Sequence, residues 1–281
     1  LKKKRKMNYS RPKIISIGNA IMDVISFSSE QFLAKNGMIK NAMNLIDYER
    51  SEELDTLIEN ATTVAGGSAA NTAACLSKFN CSSNFIGRIG SDNYGFNYEK
   101  NLRKNLVETH LVTDPKFPTA RSYIFVTPDK DRTMNTYLGA SINLMPSDIS
   151  EKLIKSADLV YVEGYLYDAP EGPGCWEKIG RLSKKYGTKI AISLSDSWCV
   201  DRHREKFKNF IKNFVEIVIC NKEELLLMFD GSYDSAITQL RDIVDSGSIT
   251  DGKNGAIAFS QNQTKKIEAL NKNDVSDTTG A

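Results

Sequence analysis

Leu159-Val-Tyr-Val162, Cys175–Tyr186, Ile190-Ala-Ile-Ser-Leu194, Arg204–Phe214 and Glu216-Ile-Val-Ile-Cys220 follow one another as short apolar run, amphipathic stretch, apolar run, amphipathic stretch, apolar run. Runs of four or five apolar residues are strands buried on both faces, and the spacing between them is that of helices. The rhythm decides the fold class: an α/β fold with a central, mostly parallel sheet flanked by helices. It extends upstream through Ile14–Ile17 (strand), Ala69–Phe79 (helix, with Ala70, Ala73, Ala74 and Leu76 as a small-residue face), Asn84–Ile89 (strand) and Tyr94–Asn105 (helix). Downstream it continues through Glu223–Met228 and Ala236–Val244 (helices) and Gly255–Phe259 (strand), with Ser246-Gly-Ser248 reading as a poor strand.

Two regions break the rhythm. Residues 21–47 and 119–140 carry extended patterns, such as Arg121-Ser-Tyr-Ile-Phe-Val126 and Met134-Asn-Thr-Tyr-Leu138, with no helix between strands. They predict antiparallel strands in a small separate sheet, placed as a lid over a cleft.

Composition excludes several function classes. Of the 281 residues 41% are hydrophobic and 26% charged, as in an ordinary globular protein. The net charge is +2, but Lys2, Lys3, Lys4, Arg5 and Lys6 supply five of the 37 basic residues; the rest against 35 acidic ones leaves −3. A mildly acidic body does not predict a nucleic-acid partner. The basic run reads as a disordered extension over residues 1–12, with Met7 as the natural start, rather than a localisation signal. No apolar run predicts a membrane span, and none follows the basic run as a signal peptide requires. Cys75, Cys81, Cys175, Cys199 and Cys220 form no C-x-x-C pair; Cys75 and Cys220 read as core residues, and a reducing cytoplasm is the expected setting. With only His110 and His203, a histidine-based metal site or triad is not expected, and Asp129-Lys-Asp131 lacks the rest of a calcium loop. Neither a Walker motif, nor G-x-G-x-x-G, nor G-x-S-x-G occurs.

Four turns carry chemistry instead. Gly18-Asn19-Ala-Ile-Met-Asp23 leaves the first strand at its carboxyl end, where open α/β sheets place ligands, and Asn19 and Asp23 suit a polyol. Ala65-Gly66-Gly67-Ser-Ala-Ala-Asn71 opens the alanine-rich helix; paired glycines admit close backbone approach, and Asn71 can bond a hydroxyl from the first turn. The same residues also suit a turn with a local cap and a tight strand-to-helix connection, and both readings stay open. Cys220-Asn221-Lys-Glu-Glu224 ends a strand and opens a helix, so Asn221 and Glu224 are capping residues or the holders of a water shell around Mg²⁺. Asp277-Thr278-Thr279-Gly280-Ala281 is a small-residue turn that would crowd backbone N–H groups around a phosphate at a helix start.

In this order the stretches resemble the ribokinase-like (PfkB) carbohydrate kinases, and among them the adenosine-kinase-like branch. Gly66–Asn71 through Phe85-Ile-Gly-Arg-Ile-Gly90 matches the family's first signature, Val275–Ala281 the start of its second, and Asn221-x-x-Glu224 its Asn-x-x-Glu motif. Asn135-Thr-Tyr-Leu-Gly-Ala-Ser141 and Glu163-Gly-Tyr165 resemble the adenosine-kinase branch.

The resemblance implies a Rossmann-like ribokinase fold over residues 13–281 and ATP-dependent phosphorylation of a primary hydroxyl of a nucleoside or sugar. It implies Asn19, Asp23, Gly66, Gly67 and Asn71 around the acceptor, and Asn221, Glu224, Thr250, Gly252 and Gly255 around ATP and Mg²⁺, with Glu224 reaching the metal through water. Arg132 would come from the lid to the transferring phosphate, and Thr278, Thr279, Gly280 and Ala281 would form its anion hole. The family's catalytic aspartate would stand two positions beyond Ala281, so the sequence reads as part of a longer chain whose further helices complete the fold. Another sugar kinase, of ribokinase or fructokinase type, and an inactive nucleoside-binding module are the alternatives. No membrane partner is implied, and the protein is expected as a monomer or homodimer.

Overall fold

The computed structural model describes residues 11–261 and 263–270. In chain order the elements are β1 (Lys13–Ile17), β2 (Ile21–Phe27), α1 (Glu30–Lys35), β3 (Met43–Leu45), α2 (Tyr48–Leu57), β4 (Thr62–Gly66), α3 (Ser68–Lys78), β5 (Ser82–Gly90), α4 (Asn93–Lys104), β6 (Glu108–Asp114), β7 (Ala120–Val126) and β8 (Arg132–Tyr137). They continue as α5 (Glu151–Ser156), β9 (Leu159–Glu163), α6 (Gly172–Tyr186), β10 (Lys189–Ser193), α7 (Ser197–Phe214), β11 (Ile217–Asn221), α8 (Lys222–Met228), α9 (Tyr233–Arg241), β12 (Ser246–Thr250), β13 (Ala256–Ser260) and β14 (Gln263–Ile267).

The large sheet runs β14-β13-β12-β11-β10-β9-β1-β5-β6. From β12 to β6 its strands are parallel, and β13 and β14 add an antiparallel edge. Ile15, Ile17, Val160, Val162, Ile190 and Ile192 pack on one face against Trp176, Phe207 and Phe210 of α6 and α7. The opposite face packs on α3 and α4 through Ala69, Ala70, Ala73, Phe85 and Tyr98. Because β5 lies on one side of β1 and β9 on the other, the order reverses between β1 and β9, and the carboxyl ends there flank a crevice.

The second sheet runs β3-β8-β7-β2-β4 and is mixed, not antiparallel as expected. β2 pairs parallel with β7, and β3 with β8, because the chain passes through β5, α4 and β6 before returning. One face is covered: Met22, Val24, Tyr123 and Phe125 pack with Leu33 of α1 and Leu54 of α2. Helix α1 falls where only strands were expected. Six residues are too few to show a helical period, yet Ser29 caps it by accepting from the Phe32 amide at 3.1 Å, and Leu33 is buried.

Three further expectations are corrected. Ser246-Gly-Ser248 is an ordinary part of β12, where Gly247 makes room for the Phe259 ring, 2.6 Å from any added Cβ. Helix α7 starts at Ser197, not Arg204, because Asp196 caps it by accepting from the Cys199 amide at 2.7 Å. Cys75 is exposed, since α3 buries Ala69, Ala70 and Ala73 and turns position 75 outward. Residues 62–66, unassigned from sequence, form β4. Among the described residues no helix is long and apolar enough to cross a membrane.

Candidate active site

Parallel strands all end on one rim, which carries Thr250 of β12, Asn221 of β11, Ser193 of β10, Glu163 of β9 and, just past β1, Gly18 and Asn19. Two clusters occupy it. From β1 to β12 are four strand spacings, roughly 19 Å at 4.8 Å each.

At the β1–β9 end the residues converge. Asn19 is 5% exposed; its amide donates to Glu163 Oε1 at 2.7 Å, while its own Oδ1 is buried without a partner among the described residues. A buried acceptor left open is a group waiting for a ligand or water. Gly67 starts α3 at φ 91°, and a Cβ there would lie 2.3 Å from the Asn19 carbonyl oxygen. A Cβ on Gly66 would lie 2.3 Å from the Asp23 carboxylate. The two glycines are therefore sites of backbone approach, fixing Asn19 and Asp23 against the start of α3. Asn71, one turn into α3, donates its amide to the Gly67 carbonyl at 2.9 Å and keeps its half-buried side chain on the same end of the helix. Tyr98 of α4, fully buried, donates its hydroxyl to the Gly66 carbonyl at 3.1 Å, and burial holds that phenol well above its usual range.

The small sheet adds a wall. Asp23 stands level with Val64, Ser122, Thr136 and Leu45 across the five strands, so these share a face. Along that face lie Phe27, Met43, Leu45 and Val64, all exposed, on the side away from α1 and α2. The acceptor end thus combines carboxylate and amide groups with an open apolar surface.

At the β11–β12 end, Asn221 pairs with Thr250 in register. Asn221 and Glu224 form a reciprocal capping box: the Glu224 amide donates to Asn221 Oδ1 at 2.8 Å, and Glu224 accepts from the Asn221 backbone amide at 3.0 Å and its side-chain amide at 2.7 Å. Capping is therefore established here, and each carboxylate oxygen keeps lone-pair capacity. Burial pushes the Glu224 carboxyl up, with Asn221 partly opposing and the charge of Asp196 adding. Gly252 (φ 49°) and Gly255 (φ 88°) shape the turn into β13, and Gly255 is pressed on the Ile267 carbonyl of β14. A cleft of about 500 Å³ opens between Lys222, Glu223, Leu226, Leu227 and Asp251.

Comparison with known proteins decides the lineage. The description "pfkB family carbohydrate kinase" matches residues 11–281. This chain belongs to the pfkB family of carbohydrate kinases. A probable sugar kinase from Rhizobium etli has a similar structure (TM-score 0.86, 35% identity, 96% of this chain and 83% of that one), and so has an adenosine kinase from Sinorhizobium meliloti (TM-score 0.86, 34% identity, 96% and 84%). A 5-dehydro-2-deoxygluconokinase from Geobacillus kaustophilus is 25% identical over 71% of this chain, which spans 64% of that relative's length.

In this pfkB protein the structure gathers Asn19, Asp23, Gly66, Gly67 and Asn71 at one end of the rim, and Asn221, Glu224, Thr250, Gly252 and Gly255 at the other. The backbone of Arg132 opens β8 level with Phe27, four residues from the Asp23 row, roughly 13 Å along the strand. Thr278, Thr279, Gly280 and Ala281 lie outside the described residues. Sequence reasoning quoted Glu163 only as part of a resemblance and missed its role. An acidic residue closing an apolar strand, at the end where ligands bind, was the available signal. Among the described residues no group of three His, Cys, Asp or Glu could hold a metal ion.

Proposed function

We propose that this protein transfers the γ-phosphoryl group of ATP to a primary hydroxyl, with a nucleoside of the adenosine type as acceptor. The observation that carries the reading is the split rim: a cluster of Asn19, Asp23 and Asn71 at the β1–β9 end and a turn-and-cap cluster at β11–β12, on one edge of one sheet.

Asn19 Oδ1 and the Asp23 carboxylate would accept from sugar hydroxyls, and Asn71 would fix the ring from the first turn of α3. Asn221, Thr250, Gly252 and Gly255 would line ATP, and Glu224 would orient water around Mg²⁺, which neutralises phosphate charge when bound. The small sheet would act as the lid, bringing Arg132 towards the phosphate by closure, and Thr278–Ala281 would supply backbone donors to it. In such a reaction positioning and charge stabilisation do the catalysis.

A nucleoside is favoured over a simple sugar by the exposed Met43, Leu45 and Val64 on the Asp23 face, since a polyol alone has nothing to place on them. The 34% identity to an adenosine kinase supports it, while the relatives described as a sugar kinase and a 5-dehydro-2-deoxygluconokinase keep sugars as the second reading.

An ATP-consumption screen against nucleosides, ribose, fructose and 5-dehydro-2-deoxygluconate tests this. Turnover with adenosine above all sugars is expected. Turnover with a sugar alone would move the acceptor to the second reading, and none with any acceptor would favour a binding module.

A further inference from the structure

Glu163 is 1% exposed at the carboxyl end of β9. Among the described residues no Lys, Arg or His is ion-paired with it, which is costly for a buried carboxylate. Its partners are three donors from two distant loops. Oε1 accepts from the Asn19 amide at 2.7 Å; Oε2 accepts from the Ala69 amide at 2.9 Å and from the Ser68 hydroxyl. The first loop leaves β1 and carries Asn19; the other two donors open α3, which carries Asn71. A Cβ on Gly18 would lie 2.4 Å from the Glu163 carboxyl carbon, so the loop is pressed onto this one group.

We propose that Glu163 is a positioning residue: its carboxylate joins the exit of β1 to the start of α3 across the crevice and makes one acceptor platform of two loops. Both oxygens are turned to the loops, so Glu163 acts through the segments that carry Asn19, Gly67 and Asn71. The geometry gives a carboxylate without an ion pair a place among these donors. Only a group that accepts on both oxygens can satisfy three donors converging from two directions. In Glu163→Gln the amide NH₂ would face an N–H of one loop, donor against donor, and the loops would part with little change in shape or volume. The kinetic arm of the test rests on the kinase reading; the second arm does not.

The experiment compares wild type, Glu163→Gln and Ser68→Ala by steady-state kinetics with adenosine and ATP, and by amide hydrogen exchange. For Glu163→Gln the KM for adenosine should rise about 10-fold or more while the KM for ATP stays within about twofold, the signature of a misplaced acceptor platform. Exchange should quicken in residues 18–21 and 66–72 and stay unchanged in α6 and α7. Ser68→Ala, which removes one donor of the three and keeps the carboxylate, should shift adenosine KM the same way by a few-fold, and it serves if Glu163→Gln does not fold. An unchanged adenosine KM, an equal rise in both KM values, or faster exchange throughout the chain would overturn the proposal. Wild type inert toward adenosine would count against the favoured acceptor, and localised exchange would still establish the brace.

Discussion

The two ends of the rim hold their polar residues in different ways. At β11–β12 the hydrogen bonds of the cap are local: Asn221 and Glu224 satisfy each other three residues apart. At β1–β9 almost nothing is local. Glu163 reaches Asn19 across 144 residues and Ala69 across 94, and Tyr98 reaches Gly66 across 32. The lesson is one of tolerance. A local cap forms wherever the helix forms, whereas a platform assembled from distant segments has its geometry set by close approach and fails if one contact is pushed apart.

The sharpest way to break this contrast is to add a methyl group at each end. Gly67→Ala places a Cβ against the Asn19 carbonyl oxygen at φ 91°, and a loss of about 100-fold or more in kcat/KM for the acceptor is expected. Gly252→Ala meets nothing within 4 Å at φ 49°, so only left-handed backbone strain of about 1–2 kcal/mol applies, with a rise of a few-fold in KM for ATP. Similar losses from both would remove the distinction.

Asn19→Ala comes next. Its Oδ1 has no partner among the described residues to lose, so the melting temperature should hold while acceptor kcat/KM falls about 10- to 100-fold, the cost of one or two bonds to substrate. A large loss of stability with unchanged kinetics would make Asn19 structural.

Asn221→Ala should show the reverse. Removing the cap costs about 1 kcal/mol, which lowers the melting temperature by about 2–4 °C in a domain of this size. Acceptor KM should not change.

The smallest effect concerns pH. Burial raises the Glu224 carboxyl above its ordinary range, so its contribution to stability is full below that range and is lost as pH rises through the raised value. Gln can keep the bond from the Asn221 backbone amide, loses the one from its side-chain amide at every pH, and does not ionise. The melting temperature of Glu224→Gln relative to wild type should therefore climb by about 2 °C between about pH 4 and pH 8, read by thermal scans. A falling difference would mean the carboxylate is favoured in the fold.

How much was legible in sequence follows the same division. The strand and helix alternation and the Asn221–Glu224 cap were readable because each depends on residues within a few positions of one another. Helix α1 and the parallel pairings of the small sheet were not, since α1 is too short for a period and strand direction depends on the route between strands. The acceptor residues were named by resemblance, but their mutual distances were invisible. Composition and local pattern determined that this is a parallel α/β chain with glycine-rich turns at its strand ends. Only the tertiary structure decided that Glu163 would join two of those turns. Hydrophobic period and capping are written in neighbouring residues, whereas a buried carboxylate finds its donors only after the strands that carry them lie side by side.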